Sequence, residues 1–300
     1  ISEYIADGRY DFNPETQVLQ LRIPQIYRDR KISGESNPTF WDDGIPALWT
    51  SYYISGSHQQ SGGQNNASNW ASFNSGMNIG PWRMRNTSNW GSDNGWQSIN
   101  TTLGRDVKAL RSQLQIGQTY TNGELFDSVQ MTGVKLETDT SMQPSGLQGF
   151  APVVRGIANS DAKVTIKQNG YTIYQTNVSP GPFEIRDLTQ VTAGADLEVT
   201  VTEADGTERS FIQASSSVPI MQREGALKYS LAAGKYRDVD NGEEPEFSQA
   251  TAIYGLPFGI TAYGGLQGAS MYRAGLVGIG ADLRDFGSLS MDRTAARTAF

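Results

Sequence analysis

The 300-residue sequence predicts an all-β protein in which long antiparallel strands of a large barrel surround a small inserted β-sandwich. Three observations support this fold class. Apolar and polar residues alternate through most of the chain, aromatic residues recur near the ends of the long strands, and turn signals crowd into residues 153–211. A period of two is the pattern of a half-buried strand. We find no convincing helical period over ten or more residues.

The alternation is clearest at residues 71–80, where Phe73, Met77 and Ile79 alternate with Asn74 and Asn78. We therefore expect the apolar set to share one face of a strand and the amides to share the other. The same pattern recurs at residues 82–85, 99–104, 110–116, 228–233, 277–283 and 289–291.

All six Trp residues lie between Trp41 and Trp96, close to predicted strand ends. An apolar outer band with aromatic girdles and a polar interior is typical of transmembrane barrels of the outer membrane. A water-soluble β-protein gives the same alternation, so the pattern alone leaves both architectures open. In the soluble alternative the Trp cluster is the sugar-binding platform of an adhesin-like protein.

Composition excludes several classes. The net charge of −7 and the lack of Lys/Arg clusters argue against nucleic acid as a partner. The absence of Cys excludes disulfides and Cys-based zinc sites, and no run of ~18 apolar residues predicts a transmembrane helix. We predict no metal site and no cofactor. The chain lacks an initial Met and ends within a strand pattern, so we expect a segment of a longer protein.

Candidate catalytic residues are few, and we predict none. The single His, His58, lies in a Gly/Ser/Gln-rich stretch that we interpret as a turn. The pairs Asp42-Asp43 and Glu243-Glu244 are the residue types that a glycosidase needs. Both pairs lie in Pro/Gly-rich connectors, where carboxylates are usually solvated. A β-rich glycosidase remains the enzymatic alternative.

Composition and turn signals divide the chain into four regions. Residues 1–45 are the end of an upstream domain plus a linker, and residues 46–148 and 220–300 carry the long strands. Residues 149–219 form the inserted sandwich, in which the turns Asn169-Gly170 and Asp205-Gly206 each join two strands.

Several longer motifs resemble the outer-membrane fimbrial ushers of the chaperone–usher pathway, the family that includes the usher of type 1 pili. The closest are Gly149-Phe-Ala-Pro-Val-Val154, Val164-Thr-Ile-Lys-Gln-Asn-Gly-Tyr171, Pro180-Gly-Pro-Phe183 and Ser217-Val-Pro-Ile-Met-Gln-Arg-Glu-Gly225. Further motifs are Trp41-Asp-Asp-Gly44, Gly76-Met-Asn-Ile-Gly-Pro-Trp-Arg83 and Gly123-Glu-Leu-Phe-Asp127. Together they cover essentially the whole chain.

The resemblance implies a barrel of about two dozen strands in the Gram-negative outer membrane, with the sandwich as a plug domain. We count six long strands before the insert and about five after it. Eleven strands cannot close such a barrel, so the others are expected beyond Phe300. The periplasmic N-terminal domain is expected to precede residue 1 except for its last strand. The implied partners are periplasmic chaperone–pilin subunit complexes, the nascent pilus fibre and outer-membrane lipid.

The same resemblance suggests three groups of functional residues. The hinge or linker residues flank the plug: Gly149, Phe150, Pro152, Ser217, Val218 and Pro219. The candidate gating contacts on the plug are Arg155, Glu184, Arg186 and Asp187. The polar residues expected to face the lumen are Arg83, Arg85, Arg105 and Arg111.

Overall fold

The computed structural model describes residues 9–27, 34–61, 64–186, 188–189, 191–192, 194–215, 218, 220–237, 244–283 and 286–298. Within these ranges the regular structure is nineteen strands and short 3-10 turns. The strands are β1 Arg9–Asn13, β2 Val18–Arg22, β3 Ala47–Ser61, β4 Gln64–Ile79, β5 Trp82–Gly91, β6 Gly95–Val107, β7 Ser112–Tyr120, β8 Gln130–Thr138, β9 Val154–Ala158, β10 Ala162–Gln168, β11 Tyr171–Val178, β12 Gly181–Ile185, β13 Leu197–Thr202, β14 Glu208–Gln213, β15 Leu227–Tyr236, β16 Glu246–Leu256, β17 Ile260–Ala269, β18 Tyr272–Asp282 and β19 Ser288–Thr298. None of the helical turns among these residues has the length and hydrophobicity needed to cross a membrane.

Eleven of the described strands form one antiparallel sheet, in the order β19-β18-β17-β16-β15-β8-β7-β6-β5-β4-β3. Six of them precede the inserted domain and five follow it, which confirms the predicted count. β8 and β15 flank the insert and pair directly, from Glu137 opposite Ser230 to Met131 opposite Tyr236. The ladder therefore continues across the insertion point without help from the inserted domain. His58 lies within β3, so its predicted position in a turn is wrong.

One face of the large sheet is apolar and exposed. A single register row crosses six strands with the side chains Leu48, Met77, Met84, Leu103, Ile116 and Val134. Every member of this row is more than a third exposed. We call this the open face. Phe73 and Ile79 share it with Met77, as predicted from the alternation.

The opposite face is polar and partly covered by the chain itself. The connection at residues 121–129 folds back over it, and Leu125 and Phe126 pack against a cluster of Ile253, Tyr263 and Leu276. The amide of Gln249 donates to the carbonyl of Asn122 at 3.0 Å, and Lys228 pairs with Glu124 at 2.9 Å. We call this the covered face.

The inserted domain has two sheets, β11-β10-β13-β14 and β12-β9. Their facing side chains form a single core, with Val154, Val164, Ile166, Phe183, Leu197 and Val199 almost fully buried. The predicted hairpin turn lies between β10 and β11, with φ of 51° at Asn169 and 82° at Gly170. Those two positive angles are the ones that a tight hairpin of this twist requires.

A buried carboxylate joins two turns of the inserted domain. Glu203 is 7% exposed and accepts hydrogen bonds from the backbone N–H groups of Asn159 and Ser160 and from the Ser160 hydroxyl. Arg209 completes the cluster at 2.6 Å. The Ser160 hydroxyl and the Asn159 backbone hold the pKa of Glu203 at about 2, well below its ordinary value of 4.5.

The N-terminal region forms an antiparallel hairpin of β1 and β2. The expectation of one remaining strand of the upstream domain is therefore wrong, since two strands are present. Tyr10, Phe12 and Leu19 of this hairpin are about half exposed or more. β2 ends at Arg22, two residues before Pro24, which has no N–H to donate to a strand ladder.

The inserted domain is expected to unfold cooperatively when residues 150–215 are expressed alone, because its core is formed within this segment. Glu203→Gln should lower its free energy of unfolding by about 2–4 kcal/mol, since charged hydrogen bonds are lost and buried donors remain. Urea denaturation followed by circular dichroism measures both effects. A non-cooperative parent curve would contradict the domain boundary.

The same carboxylate predicts a pH dependence. The folded-state pKa of Glu203 is depressed, so its contribution to stability is present above about pH 4.5 and is lost as the pH falls toward 2. The stability difference between the parent and Glu203→Gln should therefore shrink over this range. A difference that stays constant from pH 6 to about pH 2 would contradict the assignment.

Candidate functional site

The segment that leaves the inserted domain lies against the covered face of the large sheet. Gly225 donates to the carbonyl of Gly255 at 2.8 Å, and the N–H of Gly255 donates to Ala226 at 2.9 Å. The N–H of Gln222 donates to the buried hydroxyl of Thr261 at 3.0 Å. A Cβ atom at Gly255 would lie 1.8 Å from the carbonyl oxygen of Arg223, so this contact requires glycine.

Arg223 joins both connections of the inserted domain. Its guanidinium donates to the carbonyl of Gln148 at 3.0 Å, in the entering connection, and to that of Arg186 at 2.9 Å, just after β12. The carbonyls of Gly146 and Leu188 also accept from it. Arg223 is 8% exposed, so these bonds form away from water. One side chain thus holds the entering connection, the returning connection and the end of β12 together.

An ionic cluster lies beside Arg223. Glu184 on β12 is almost fully buried and pairs with Arg155 at 2.7 Å and with Arg186 at 2.8 Å. Arg186 also pairs with Glu224, next to Arg223 in the chain. Burial alone would raise the pKa of Glu184, but the hydrogen bonds and charges of Arg186 and Arg155 outweigh it and lower the pKa. We call Glu184, Arg186, Arg223 and Glu224 the plug seat.

The N-terminal region also reaches the inserted domain. The backbone N–H of Glu184 donates to the side-chain oxygen of Gln25 at 2.9 Å, and the 3-10 turn Gln25–Tyr27 packs against β12. A cavity of about 760 Å³ lies between this turn, the plug seat and the β16–β17 turn. Phe150, Arg155, Tyr254 and Phe258 contribute to its wall.

The linker after this turn is anchored to the end of the large sheet that carries the inserted domain. Lys108, in the β6–β7 turn, pairs with Asp43 at 2.7 Å and donates to the carbonyl of Trp41 at 2.6 Å. Arg83 donates to the carbonyl of Asp43 at 2.8 Å. The hydrogen bond from Lys108 lowers the pKa of the Asp43 carboxyl, which is therefore engaged in an ion pair.

The structure brings part of the predicted hinge and gating set together. Gly149 has a φ of +62° and open space around it, which suits a pivot. Phe150 is partly buried, Pro152 is buried and Val218 is partly buried. Arg155, Glu184 and Arg186 share one ionic cluster. Asp187, Ser217 and Pro219 lie outside the described residues.

The four arginines predicted to face the lumen do not share one location. Arg83 and Arg85 lie on the covered face, where Arg85 stacks 5.8 Å from the ring of Trp49. Arg105 lies opposite Trp82 and Leu114 on the open face, so it does not share a face with Arg83 and Arg85. Arg111 is in the β6–β7 turn at φ of 49°, where it pairs with Glu35, and is not on a strand face.

The tryptophans on the large sheet divide between its two faces. Trp49 and Trp70 lie on the covered face, whereas Trp82, Trp90 and Trp96 lie on the open face. Aromatic rings on opposite sides of a sheet cannot form one sugar-binding platform. The Trp cluster is therefore divided into two groups, with Trp90 and Trp96 directly opposite each other on the open face.

Sequence reasoning missed two parts of the site: Arg223 and the connection at residues 121–129. Arg223 lies in the Ser217–Gly225 motif and Phe126 in the Gly123–Asp127 motif, both of which were noted only as family resemblance. Within the described ranges no cluster of three or more His, Asp or Glu residues is arranged to hold a metal. What the site offers chemically is ionic and hydrogen-bonded attachment of one domain to another.

Two family models match the chain. The model described as "Outer membrane usher protein" matches residues 70–300, and the "PapC N-terminal domain" model matches residues 1–56. The second match extends past the predicted boundary at residue 45 and into β3.

Curated relatives and a solved structure agree with these matches. The chain is 50% identical over 98% of its length to the outer membrane usher protein YraJ of Escherichia coli K12 and 42% identical over 99% to FimD of the same strain. It spans about a third of each relative, 35% in both cases.

The E. coli P pilus tip assembly intermediate PapC-PapD-PapK-PapG contains a chain that matches 97% of this one, with 30% identity and a TM-score of 0.62. The match covers 38% of that chain. With a family model over residues 70–300 and eleven strands interrupted by a sandwich, the chain belongs to the outer membrane usher family.

Proposed function

We propose that this chain is the central part of an outer-membrane usher pore that assembles pilus subunits and secretes the fibre. The observation that carries the proposal is the inserted domain, whose two connections are joined by Arg223 and which lies between two strands that pair directly. Such an insert is free to move without opening the sheet. We therefore assign it the role of a plug that gates the channel.

The open face supports placement of the sheet in a membrane. Trp82 and Trp90 lie on this face at the two ends of β5, about 26 Å apart along the strand. With a strand tilt of about 40°, they are about 20 Å apart across a membrane, which is close to the ~25 Å apolar band between aromatic girdles.

Loop lengths orient the sheet. Outer-membrane barrels have short periplasmic turns and longer external loops. The two long connections join Tyr120 to Gln130 and Tyr236 to Glu246, so both begin and finish at one end of the sheet, which also carries short turns at residues 92–94 and 270–271. At the other end, apart from the two connections of the plug, the connections between the described strands are at most about five residues long, as at residues 80–81 and 257–259. We assign the second end to the periplasm, and the plug with it.

The proposed mechanism is assembly without bond-making chemistry. Chaperone–subunit complexes arrive from the periplasm, and each subunit's groove is completed by a strand from the next subunit, a form of β-augmentation. The pore accelerates this exchange by holding the partners close and in register. The structural neighbour, an assembly intermediate of PapC with PapD, PapK and PapG, is an analogue for such a complex.

The domain limits proposed for this function are residues 46–148 and 220–300 for the pore wall and residues 149–219 for the plug. The strands of the large sheet support the first two ranges, and the closed core of the sandwich supports the third. Gly149, Phe150, Pro152, Ser217, Val218 and Pro219 are the proposed pivot positions.

Membrane placement predicts opposite outcomes for neighbouring residues of β4. Met77→Arg in the full-length protein should impair insertion, because charge would face lipid; the cost is about 2–4 kcal/mol at the midplane and smaller at residue 77, one row inside Trp82. Asn78→Arg should insert normally, since Asn78 lies on the covered face, away from lipid. Folding into lipid vesicles, followed by the mobility shift of folded barrels on gels, measures both. Equal insertion of the two variants would contradict the assignment of the faces.

Plug deletion should open the pore. Replacing residues 150–215 with a short Gly/Ser linker in the full-length protein leaves the β8–β15 ladder intact, so the variant should insert normally. Planar-bilayer recordings should then show large open-channel conductance, and cells should become sensitive to bulky antibiotics. An inserted deletion variant with the same rare, small openings as the parent would show that the plug is not the gate.

Arg223→Ala should weaken the closed state without removing the plug. Loss of several charged hydrogen bonds is expected to cost roughly 3 kcal/mol, about a 100-fold rise in the open-to-closed ratio. Arg223→Lys should give an intermediate ratio because it keeps the charge but not the planar fork. The matched control is Lys163→Ala, an exposed plug residue away from the seat. An unchanged open probability in Arg223→Ala would show that Arg223 does not hold the plug in its closed position.

A further inference from the structure

Two arginines are exposed directly opposite each other on the open face. Arg273 on β18 is the register partner of Arg297 on β19, so their Cβ atoms are about 5 Å apart. Like charges in this arrangement destabilise a sheet unless a counter-charge lies between them. Neither side chain has a carboxylate within 4 Å among the residues that the structure describes.

Among the described residues, the three strands nearest this pair carry no compensating acid on this face, and Glu246 of β16 lies opposite Lys235. β17, β18 and β19 contain two carboxylates, Asp282 and Asp292. Asp282 is at the far end of β18, and Asp292 lies opposite Gly278 on the covered face. A third arginine, Arg293, lies on the open face opposite Val277, four residues along β19 from Arg297.

An apolar groove starts beside Arg273. Its volume is about 660 Å³, and Arg273 forms one part of its wall next to Gly268. The remaining open-face lining is Ser248 and six apolar residues, with small side chains at the centre: Val134, Leu136, Leu231, Ala233, Ala250 and Leu266. Because the side chains of Ala233 and Ala250 are small, they leave space for the groove, and the leucines form its borders.

The basic pair lies at the external end of the sheet under the orientation proposed above. Arg273 follows the turn at residues 270–271, on the same side as the long connections. The groove extends from this pair toward the middle of the apolar band. A positive pair at headgroup depth, above an apolar groove, matches a lipid with an anionic headgroup in the outer leaflet.

We propose that Arg273 and Arg297 bind the phosphate of an outer-leaflet phosphoglycolipid with the chemistry of lipid A, and that the groove at Ala233 and Ala250 holds one of its acyl chains. Guanidinium groups match phosphate oxygens as paired donors, and a bridging phosphate would neutralise the opposed charges. The inference rests on the proposed membrane placement of the open face.

The test uses the full-length protein in phosphatidylcholine vesicles that contain a minor fraction of bis-phosphorylated lipid A or dephosphorylated lipid A. Bound lipid is measured by mass spectrometry after mild detergent extraction. The parent should retain bis-phosphorylated lipid A, and the double variant Arg273→Ala/Arg297→Ala should bind it about ten-fold more weakly. Dephosphorylated lipid A should bind equally weakly to both proteins.

Two further variants separate the headgroup from the acyl chain. Ala250→Trp keeps an apolar residue toward lipid but fills the groove, so it should also weaken binding of bis-phosphorylated lipid A. The charge-matched control, Lys163→Ala/Lys167→Ala on the plug, should bind as the parent does. If the arginine variant inserts normally and binds lipid A like the parent, the inference is overturned. A parent that fails to insert into vesicles would instead contradict the proposed function.

Discussion

The direct pairing of β8 with β15 is the constraint on which the rest of the structure depends. Within a membrane every backbone N–H and C=O must have a partner, so a domain cannot be inserted into a strand ladder if it interrupts that ladder. Here the chain leaves after Thr138 and returns at Leu227, and the two strands still pair from Met131 to Glu137. The insert must therefore leave and return at the same end of the sheet, which places both connections side by side.

That closeness explains the chemistry of the plug seat. Because the entering and returning connections are neighbours, one guanidinium reaches both, and Arg223 donates to carbonyls in each. An apolar contact of similar size would attach the plug more permanently, since burial of apolar surface is non-directional. Hydrogen bonds to backbone carbonyls can instead be exchanged for bonds to water. The ion pair of Glu184 and Arg186 lies at the edge of the same junction. Where this cluster is exposed, it contributes less to the stability of the junction, because water and salt screen the charges.

The alternating pattern was sufficient to predict the number of long strands and the apolar face of β4, because each depends on local periodicity. The orientation of Arg105 was predictable in the same way. It has the parity of Leu103, and the bulge between the β5 and β6 registers lies before both residues. Its charge argued for the lumen, but at a strand end beside Trp82 an arginine can lie on an apolar face with its head in water. Arg223 had no periodic signal, because its partners are carbonyls brought together only by the fold.

Arginines have different roles on the two faces of the sheet. On the covered face, arginines act on the protein itself: Arg83 reaches the linker carbonyl of Asp43, and Arg85 stacks on Trp49. On the open face no protein layer is available among the described residues. Arg105 rests on a tryptophan ring, whereas Arg273 faces another arginine across the ladder. The side of the sheet, as well as the residue type, therefore determines which partners are within reach of an arginine.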